Sequence, residues 1–324
     1  MDPTTNLTHR TIFTRGGTQR YVGRFAPSPS GPLHSGSLAT ALASWLDARA
    51  HEGRWLVRIE DVDTDRCDPS WVPVILEQLA RCGLQADAEP VWQSQRSHLY
   101  ESALDQLSEQ GQLYACGCSR HDIRLACQHL SSSHATSEGG ETPYTGTCRD
   151  LGLATGNGRA IRVRCGSSFQ PLSLTWEDRR LGLQHQNLTQ QVGDFVLKRR
   201  DGLWAYQLAV VVDDAEQGIT HVVRGEDLYS NTARQIHLQH LLSYPMLRYL
   251  HAPLVLDEQH RKLSKHTGAP AIAVNSTAAV MSALRNATEA LQLGLPDEVW
   301  RRQSIGDALA TAVKVWRQQW NPMA

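Results

Sequence analysis

The chain has 324 residues and carries 32 Lys and Arg residues against 33 Asp and Glu residues, which gives a net charge of −1. This length can bury a sizeable core and favours one large domain with a smaller one beside it. The balanced charge provides no global basic field to indicate a nucleic-acid partner, although a local basic patch can still bind RNA. The apolar runs, such as residues 208–212, are far too short to span a membrane.

Cysteine usage and the N-terminal sequence indicate the compartment. The seven cysteines are an odd number, and nothing at the N-terminus looks like a secretory signal. A disulfide framework is therefore disfavoured, and a metal site or reduced thiols in the cytoplasm are expected. Residues 1–20 are polar and show no periodicity, which predicts a disordered extension. We expect a soluble, cytoplasmic monomer.

Residues 23–37 organise the rest of the chain. Residues 21–26 are β-prone, and the prolines that follow end this predicted strand in a rigid turn. From Leu38 onward, apolar residues recur at helical spacing, with Ser35 or Ser37 placed to cap the first turn. Strand, Gly/Ser-rich turn and helix start predict an anion site, because free N–H groups and the positive end of the helix dipole meet there. A nucleotide phosphate is the natural ligand.

Two motifs in this stretch carry a family resemblance. They are Arg24-Phe-Ala-Pro-Ser28 and His34-Ser-Gly-Ser37, in which the imidazole of His34 adds a donor beside the anion site. Together they resemble the opening of the glutamyl branch of class I aminoacyl-tRNA synthetases, where the second motif is the HIGH signature and many members carry His at the place of Ser37. The resemblance implies that His34 and Ser37 act in catalysis and that His34 and Gly36 contact ATP. It also implies that glutamate is contacted by the first motif, namely Arg24, Phe25, Ala26, Pro27 and Ser28.

A second predicted strand follows the helix. It covers residues 54–60, so the strand–helix–strand unit predicts a parallel sheet and an α/β fold. Ligands of such sheets bind beyond the carboxyl ends of the strands, where Glu60 stands. A carboxylate there suits an α-ammonium group, and the family resemblance implies that Glu60 holds the amino acid. For Asp63 and Asp65 we favour a plainer interpretation, in which they cap the following helix.

The resemblance also implies the overall architecture. It is a Rossmann-type parallel sheet of the class I synthetases at residues 21–245, with an inserted zinc-binding subdomain at about 113–165 and a small helical C-terminal domain, which begins with a signature loop, at 246–324. The local patterns predict helices at 70–82, 97–110, 231–242, 277–293 and 305–320, and strands at 159–164, 194–202 and 220–227.

The cysteine segment predicts a metal centre. Cys116-Gly-Cys118 offers two thiolates one residue apart, and Cys148 returns after a Ser/Gly-rich loop at 131–141. Three thiolates form a plausible structural zinc site that still needs a fourth ligand. A structural role is favoured because no general base or open coordination position is evident nearby. The competing interpretation is three reduced surface cysteines.

The fourth ligand has several candidates. On ligand chemistry, Cys127 is the obvious one, and His121 and His134 compete with it. The queuosine-modifying members of the family carry a C-x-C…Y-x-x-x-C segment, which Tyr144-Thr-Gly-Thr-Cys148 resembles. That resemblance implies Tyr144 as the fourth ligand, an unusual choice for zinc.

Two residues in the second half have both a structural and a functional interpretation. Residues 203–214 are almost wholly apolar and must lie near the core, so Tyr206 would ordinarily be a packed aromatic. Arg224 would ordinarily pair at the surface with Glu226 or Asp227. The resemblance of Tyr-Gln-Leu-Ala and of Val-Arg-Gly-Glu-Asp-Leu to family motifs implies instead that Tyr206 and Arg224 contact glutamate.

A lysine pair follows in a polar loop. Lys262-Leu-Ser-Lys265 resembles KMSKS, the second class I signature, with His266 in place of the final Ser. The resemblance implies that Lys262 and Lys265 are catalytic, that Lys265 contacts ATP, and that both neutralise the phosphates as pyrophosphate leaves, with Mg²⁺ accompanying ATP.

Amino-acid activation explains why these residue types occur together. An α-carboxylate attacks the α-phosphorus of ATP, so the site needs phosphate donors, a carboxylate clamp and an ammonium partner. Arginine suits the clamp, and two arginines suit an amino acid with two carboxylates. Arg24 and Arg224 are the candidates, and for the side chain we favour Arg24 with Tyr206. The implied substrate is L-glutamate, with Glu60 taking its ammonium group.

The length after the second signature separates the members of the family. A full glutamyl-tRNA synthetase continues into a large anticodon-binding region, for which few residues remain here. With the cysteine segment, this resembles the queuosine-modifying members, which activate glutamate without tRNA and esterify it to queuosine in the anticodon loop of tRNA(Asp). One alternative is a shortened synthetase that charges a tRNA 3′ end. Another is a non-catalytic paralogue that binds RNA or a metabolite, against which the intact motif residues argue.

Overall fold

A parallel strand–helix–strand unit opens the fold, as the sequence predicts. The computed structural model describes residues 20–130, 142–156, 158–167, 169–255 and 270–320. Its first elements are β1 (Val22–Phe25), α1 (Ser35–Ala50), β2 (Arg54–Ile59) and β3 (Val91–Trp92). β2 pairs in parallel with both β1 and β3, which confirms the predicted α/β class.

Later strands add a second parallel group. β9 (His221–Gly225) and β10 (Arg248–Ala252) pair in parallel, and β6 (Ser173–Asp178) pairs in parallel with β10 and antiparallel with β7 (Gly182–Asn187). β9 lies beside β1, where the N–H of Thr220 donates to the Val22 carbonyl oxygen at 2.9 Å. The carboxyl ends of β1, β2 and β9 therefore border one cavity.

The helices lie close to their predicted positions. The predicted ones are α2 (Trp71–Arg81), α3 (Ser97–Glu109), α7 (Thr232–Leu241), α8 (Thr277–Ala290) and α10 (Ile305–Trp320). Four further helices are not predicted from the sequence, namely α4 (Arg120–Leu130), the single turn α5 (Leu188–Gln191), α6 (Tyr206–Glu216) and α9 (Asp297–Arg302). None of the helices in the described ranges has both the length and the apolar content needed to cross a membrane.

The first turn of α1 is capped by His34. The Nδ1 atom of His34 accepts hydrogen bonds from the N–H groups of Gly36 at 3.1 Å and Ser37 at 3.4 Å. The Ser37 hydroxyl oxygen accepts in return from the His34 N–H at 2.8 Å, which completes a capping box. Ser37 thus contributes to the cap as predicted, whereas the prediction for Ser35 is wrong because the imidazole takes the capping position.

A small antiparallel sheet carries the cysteine segment. Its strands are β4 (Leu113–Cys116), β5 (Ala160–Val163) and β8 (Val196–Lys198), with β5 in the middle. The fully buried carboxylate of Asp194 accepts from the Tyr114 hydroxyl at 2.6 Å and from Arg149 Nε at 2.8 Å. Because Asp194 immediately precedes Phe195 and β8, these bonds fix the segment to the sheet.

The C-terminal helices pack on α1 around a buried carboxylate. Asp47 in α1 accepts from the Trp316 indole N–H at 2.8 Å, the Tyr21 hydroxyl at 2.7 Å and Arg179 Nη1 at 2.7 Å. Leu309 and Trp316 of α10 belong to the same hydrophobic core as α1. These helices therefore complete the core beneath the first parallel strands, and the domain boundaries given above stay predictions.

Three sequence predictions lie outside the described residues. They concern the disordered extension, the Ser/Gly-rich loop with His134, and the signature loop with Lys262, Lys265 and His266. The N-terminal prediction covers residues 1–20, of which the structure describes residue 20.

Trp316→Ala should lower the free energy of unfolding by about 3–5 kcal/mol, because it empties a buried site between α1 and α10 and removes a donor from Asp47. Urea denaturation followed by circular dichroism measures the change. Leu183→Ala is the control, since Leu183 is 76% exposed and its removal should cost less than about 0.5 kcal/mol. Equal losses in the two variants would contradict this account of the C-terminal packing.

Candidate active site and metal centre

A cavity of about 720 Å³ lies at the carboxyl ends of β1, β2 and β9. A space of this size can hold a small-molecule substrate together with a nucleotide. Every predicted catalytic or substrate residue in the described ranges lines it, namely Arg24, Phe25, Ala26, Pro27, Ser28, His34, Gly36, Ser37, Glu60, Tyr206 and Arg224. The structure thus brings together residues that are up to two hundred positions apart in sequence. Their individual roles stay predictions.

The helix start presents an imidazole to this cavity. The N–H groups of Gly36 and Ser37 donate to Nδ1 of His34, so the expectation that they are free to meet an anion is wrong. An Nδ1 atom that accepts hydrogen bonds carries no proton, and the neutral ring therefore holds its proton on Nε2. His34 can then act as the donor that the sequence predicts, with the helix dipole behind it.

Four buried charges of alternating sign run beneath the cavity. Arg24 donates through Nε to Asp214 Oδ1 at 3.0 Å and through Nη2 to Oδ2 at 3.3 Å. Arg58 donates through Nη1 to the same Oδ1 at 2.7 Å and through Nη2 to Glu60 Oε1 at 3.1 Å. Arg24 and Glu60 are predicted from the sequence as ligand residues. The structure joins them through Asp214 and Arg58, which the sequence does not indicate.

Burial and charge set the protonation of these acids. Burial alone would raise the pKa of Asp214, but Arg24 and Arg58 lower it, so this carboxylate stays ionised. Burial raises the pKa of Glu60 above its usual value despite the opposing charge of Arg58. Arg58 and Arg24 already favour the ionised form of Glu60, and a further cation in the cavity would favour it more.

Asp213, the residue before Asp214, is held by three other side chains. It accepts from Gln93 Nε2 at 2.7 Å, from Arg96 Nε at 2.6 Å and from the Tyr100 hydroxyl at 2.8 Å. Gln93 and Arg96 lie between β3 and α3 and Tyr100 lies in α3, so Asp213 ties this part of the chain to α6. Two acidic residues at the end of an apolar run must find partners when buried, so residues 203–214 contain a signal for Asp213 and Asp214 that the sequence predictions did not use.

Arg224 is held differently from Arg24. Its Nη1 donates to Gln235 Oε1 at 2.6 Å, its Nη2 to Thr232 Oγ1 at 2.8 Å and its Nε to His251 Nε2 at 3.1 Å. The side chain is buried, which excludes a surface ion pair. All three acceptors are neutral, so the guanidinium keeps its positive charge for a ligand.

Tyr206 and Asp63 also line the cavity, and Asp65 lies beside the lining residue Arg199. Tyr206 begins α6 after an extended Ala205, and burial together with the charge of Glu60 raises the pKa of its hydroxyl. Asp63 and Asp65 lie within 3.4 Å and 3.6 Å of Arg199 nitrogens at the cavity rim. The prediction that they cap the next helix is wrong, because α2 begins only at Trp71 and has no side-chain cap.

The cysteine segment forms a compact cluster. The Sγ atoms of Cys116, Cys118 and Cys148 all lie within 4.8 Å of one another, and those of Cys118 and Cys148 are 3.4 Å apart. Three sulfurs at this separation can bind one metal ion. The fold thus assembles the predicted cysteine cluster at the end of β4, and none of its three cysteines lines the cavity.

Tyr144 lies against this cluster. Its hydroxyl oxygen is 3.3 Å from Cys116 Sγ and 3.7 Å from Cys118 Sγ. The Arg162 guanidinium lies over its ring at 3.8 Å from the centroid and brings positive charge beside the cluster. Among the described residues, neither Cys127 nor His121 belongs to the cluster.

Comparisons with known proteins place the chain. The family described as tRNA synthetases class I (E and Q), catalytic domain, matches residues 21–288. A glutamyl-Q tRNA(Asp) synthetase from Albidiferax ferrireducens is 53% identical, with 93% of this chain and 99% of the relative covered. One from Leptothrix cholodnii is 52% identical, with 92% and 97% covered.

A solved structure agrees on the fold. The glutamate–tRNA synthetase of Elizabethkingia anophelis superimposes with a TM-score of 0.71 at 21% identity, covering 94% of this chain and 71% of that one. The chain belongs to the class I aminoacyl-tRNA synthetases of the glutamate and glutamine type. Within that class it is a member of the glutamyl-Q tRNA(Asp) synthetase family.

Asp214→Asn should lower the free energy of unfolding by about 3–5 kcal/mol, because two buried arginines lose their shared anion. Asp87→Asn is the matched control. It weakens the ion pair between Arg49 and Asp87, whose side chains are 26% and 32% exposed, and should lower the free energy of unfolding by at most about 1 kcal/mol. Urea denaturation of both variants measures the difference. A cost at Asp214 no larger than at Asp87 would refute the buried-network description.

Proposed function

We propose that this chain activates L-glutamate with ATP and transfers it to the queuosine base in the anticodon loop of tRNA(Asp). The observation that carries this proposal is the identity of 53% along nearly the whole length of a glutamyl-Q tRNA(Asp) synthetase. The cavity supports it, because the residues that glutamate activation needs line one space.

In the first step, the glutamate α-carboxylate attacks the α-phosphorus of ATP, and pyrophosphate leaves. Glu60 holds the substrate ammonium group, and Arg24 and Arg224 hold its carboxylates, with Tyr206 beside the side chain. The His34 imidazole donates from Nε2 to a phosphate oxygen. Lys262 and Lys265, together with Mg²⁺ bound to ATP, stabilise the charge that develops on the leaving pyrophosphate.

In the second step, a hydroxyl of queuosine attacks the carbonyl carbon of the glutamyl adenylate, and AMP leaves. Arg199 lines the cavity and is partly exposed, and we propose that an RNA base enters beside it. We propose that the first step needs no tRNA, since hydrogen bonds within the protein already orient Arg24, Glu60 and Arg224. We also propose that the chain acts as a monomer in the cytoplasm, as its sequence predicts.

The metal centre receives a structural role in this proposal. Three cysteine sulfurs with a phenol oxygen beside them fit the four-coordinate geometry of Zn²⁺, so Cys116, Cys118, Tyr144 and Cys148 would hold it. Bound zinc would supply a cross-link between β4 and the loop that returns with Cys148. No step of the reaction involves it.

ATP–pyrophosphate exchange should depend on glutamate and proceed without tRNA, and labelled glutamate should then pass only to queuosine-containing tRNA(Asp). Matched tRNA(Asp) without queuosine is the control. Charging of a tRNA 3′ end would establish the alternative of a shortened synthetase. No exchange under any of these conditions would leave a binding paralogue.

Purified protein should contain about one zinc ion per chain, as measured by inductively coupled plasma mass spectrometry. Tyr144→Phe should lower zinc affinity in competition with a coloured chelator, because it removes the oxygen beside the cysteine sulfurs. Cys127→Ser is the control and should retain wild-type affinity, since Cys127 lies outside the cluster. A larger loss with Cys127→Ser would transfer the fourth ligand to that residue, and a metal-free, fully folded wild type would remove the site.

A further inference from the structure

The environment of Arg224 depends on one buried histidine. His251 stands opposite Arg224 across the β9–β10 pair, and its side chain is fully buried. Its Nε2 atom is 3.1 Å from Arg224 Nε and 3.2 Å from the Thr232 hydroxyl, while its Nδ1 atom is 2.6 Å from Asp178 Oδ2. Asp178 is itself buried on β6, the next strand of the sheet.

These contacts define the tautomer of His251. An arginine Nε can only donate a hydrogen bond, so the His251 nitrogen that faces it carries no proton. An ionised carboxylate can only accept, so the nitrogen that faces Asp178 carries the proton. The ring is therefore neutral, with a donor toward Asp178 and an acceptor toward Arg224.

We propose that His251, locked in this tautomer by Asp178, is a positioning residue that aims the Arg224 guanidinium at a carboxylate of glutamate without neutralising it. The inference rests on the proposed function, because it takes glutamate as the ligand of Arg224. Three of the five guanidinium N–H groups are occupied by Gln235, Thr232 and His251. The described residues thus leave one N–H on each terminal nitrogen for the ligand, and two such N–H groups can bind a carboxylate in a bidentate fashion.

The neutral acceptor is what distinguishes this arginine. Asp214 orients Arg24 with a carboxylate, and the negative charge competes with any anionic ligand. His251 also orients Arg224 through a hydrogen bond. Because its ring is neutral, it does not offset the positive charge of the guanidinium. Asp178 supplies the negative charge one residue further away, where it fixes the ring and does not contact the guanidinium.

A matched pair of variants tests the proposal. His251→Gln can place an amide oxygen near the position of Nε2, whereas His251→Met has similar length and no comparable acceptor. Both lose the imidazole donor to Asp178, so the comparison isolates the acceptor for Arg224. We expect the KM for glutamate in ATP–pyrophosphate exchange to be at least about tenfold higher in the Met variant than in the Gln variant, with similar KM values for ATP.

Controls separate positioning from folding. His221→Asn alters another buried histidine, at the opposite end of β9, and should leave the KM for glutamate unchanged. Thermal melting of each variant reports its stability, and titration calorimetry with glutamate reports binding directly. If His251→Met does not fold, His251→Asn replaces it, because Asn can bond Asp178 but is too short to reach Arg224.

The measured KM values distinguish failure of the positioning role of His251 from failure of the proposed function. Equal glutamate KM values in the acceptor-bearing and acceptor-free variants, or parallel increases for glutamate and ATP, would overturn the positioning role. A wild-type chain that neither binds glutamate nor exchanges pyrophosphate with it would overturn the proposed function, and this inference with it. The two failures are distinguishable, because the second is already seen without any substitution.

Discussion

The shared carboxylate of Asp214 is the constraint on which the candidate site depends. A site for a zwitterion needs a cation and an anion close together, and in a buried space such groups would bind each other. Here Asp214 and Arg58 stand between Arg24 and Glu60, so that the charges alternate along the chain of contacts. Each ligand-facing group already has a protein partner, and a substrate enters without first separating Arg24 from Glu60.

Two adjacent acids of α6, Asp213 and Asp214, bind different parts of the chain around the cavity. Asp214 serves β1 and β2, while its neighbour Asp213 binds the segment between β3 and α3. Adjacent residues on a helix point in different directions, so one pair of acids can join separate layers. Because both are buried and fully engaged, the helix can shift little without leaving charges unpaired.

Local patterns in the sequence predicted most of the frame but missed the residues that support it. The first βα unit was accessible because prolines and an apolar stripe mark its boundaries. α6 was not assignable as a helix, since it is buried from Gln207 to Asp214 and shows no polar face. Arg58 lies within an apolar strand, and its partner Asp214 is 156 residues away, so sequence spacing cannot reveal that contact. The self-capping of His34 was also hidden, because it depends on side-chain orientation.

The contact between Trp316 and Asp47 has a consequence for the order of events during synthesis. The two residues are 269 positions apart, yet the acid lies in α1, the helix whose first turn lines the cavity. As the chain emerges from the ribosome, α1 leaves early and waits for its last packing partner. At about 5–20 residues per second this interval lasts tens of seconds or less, during which an apolar face of α1 is uncovered. Full packing of α1 is therefore coupled to synthesis of α10, which comes 269 residues after Asp47 at the Trp316 contact.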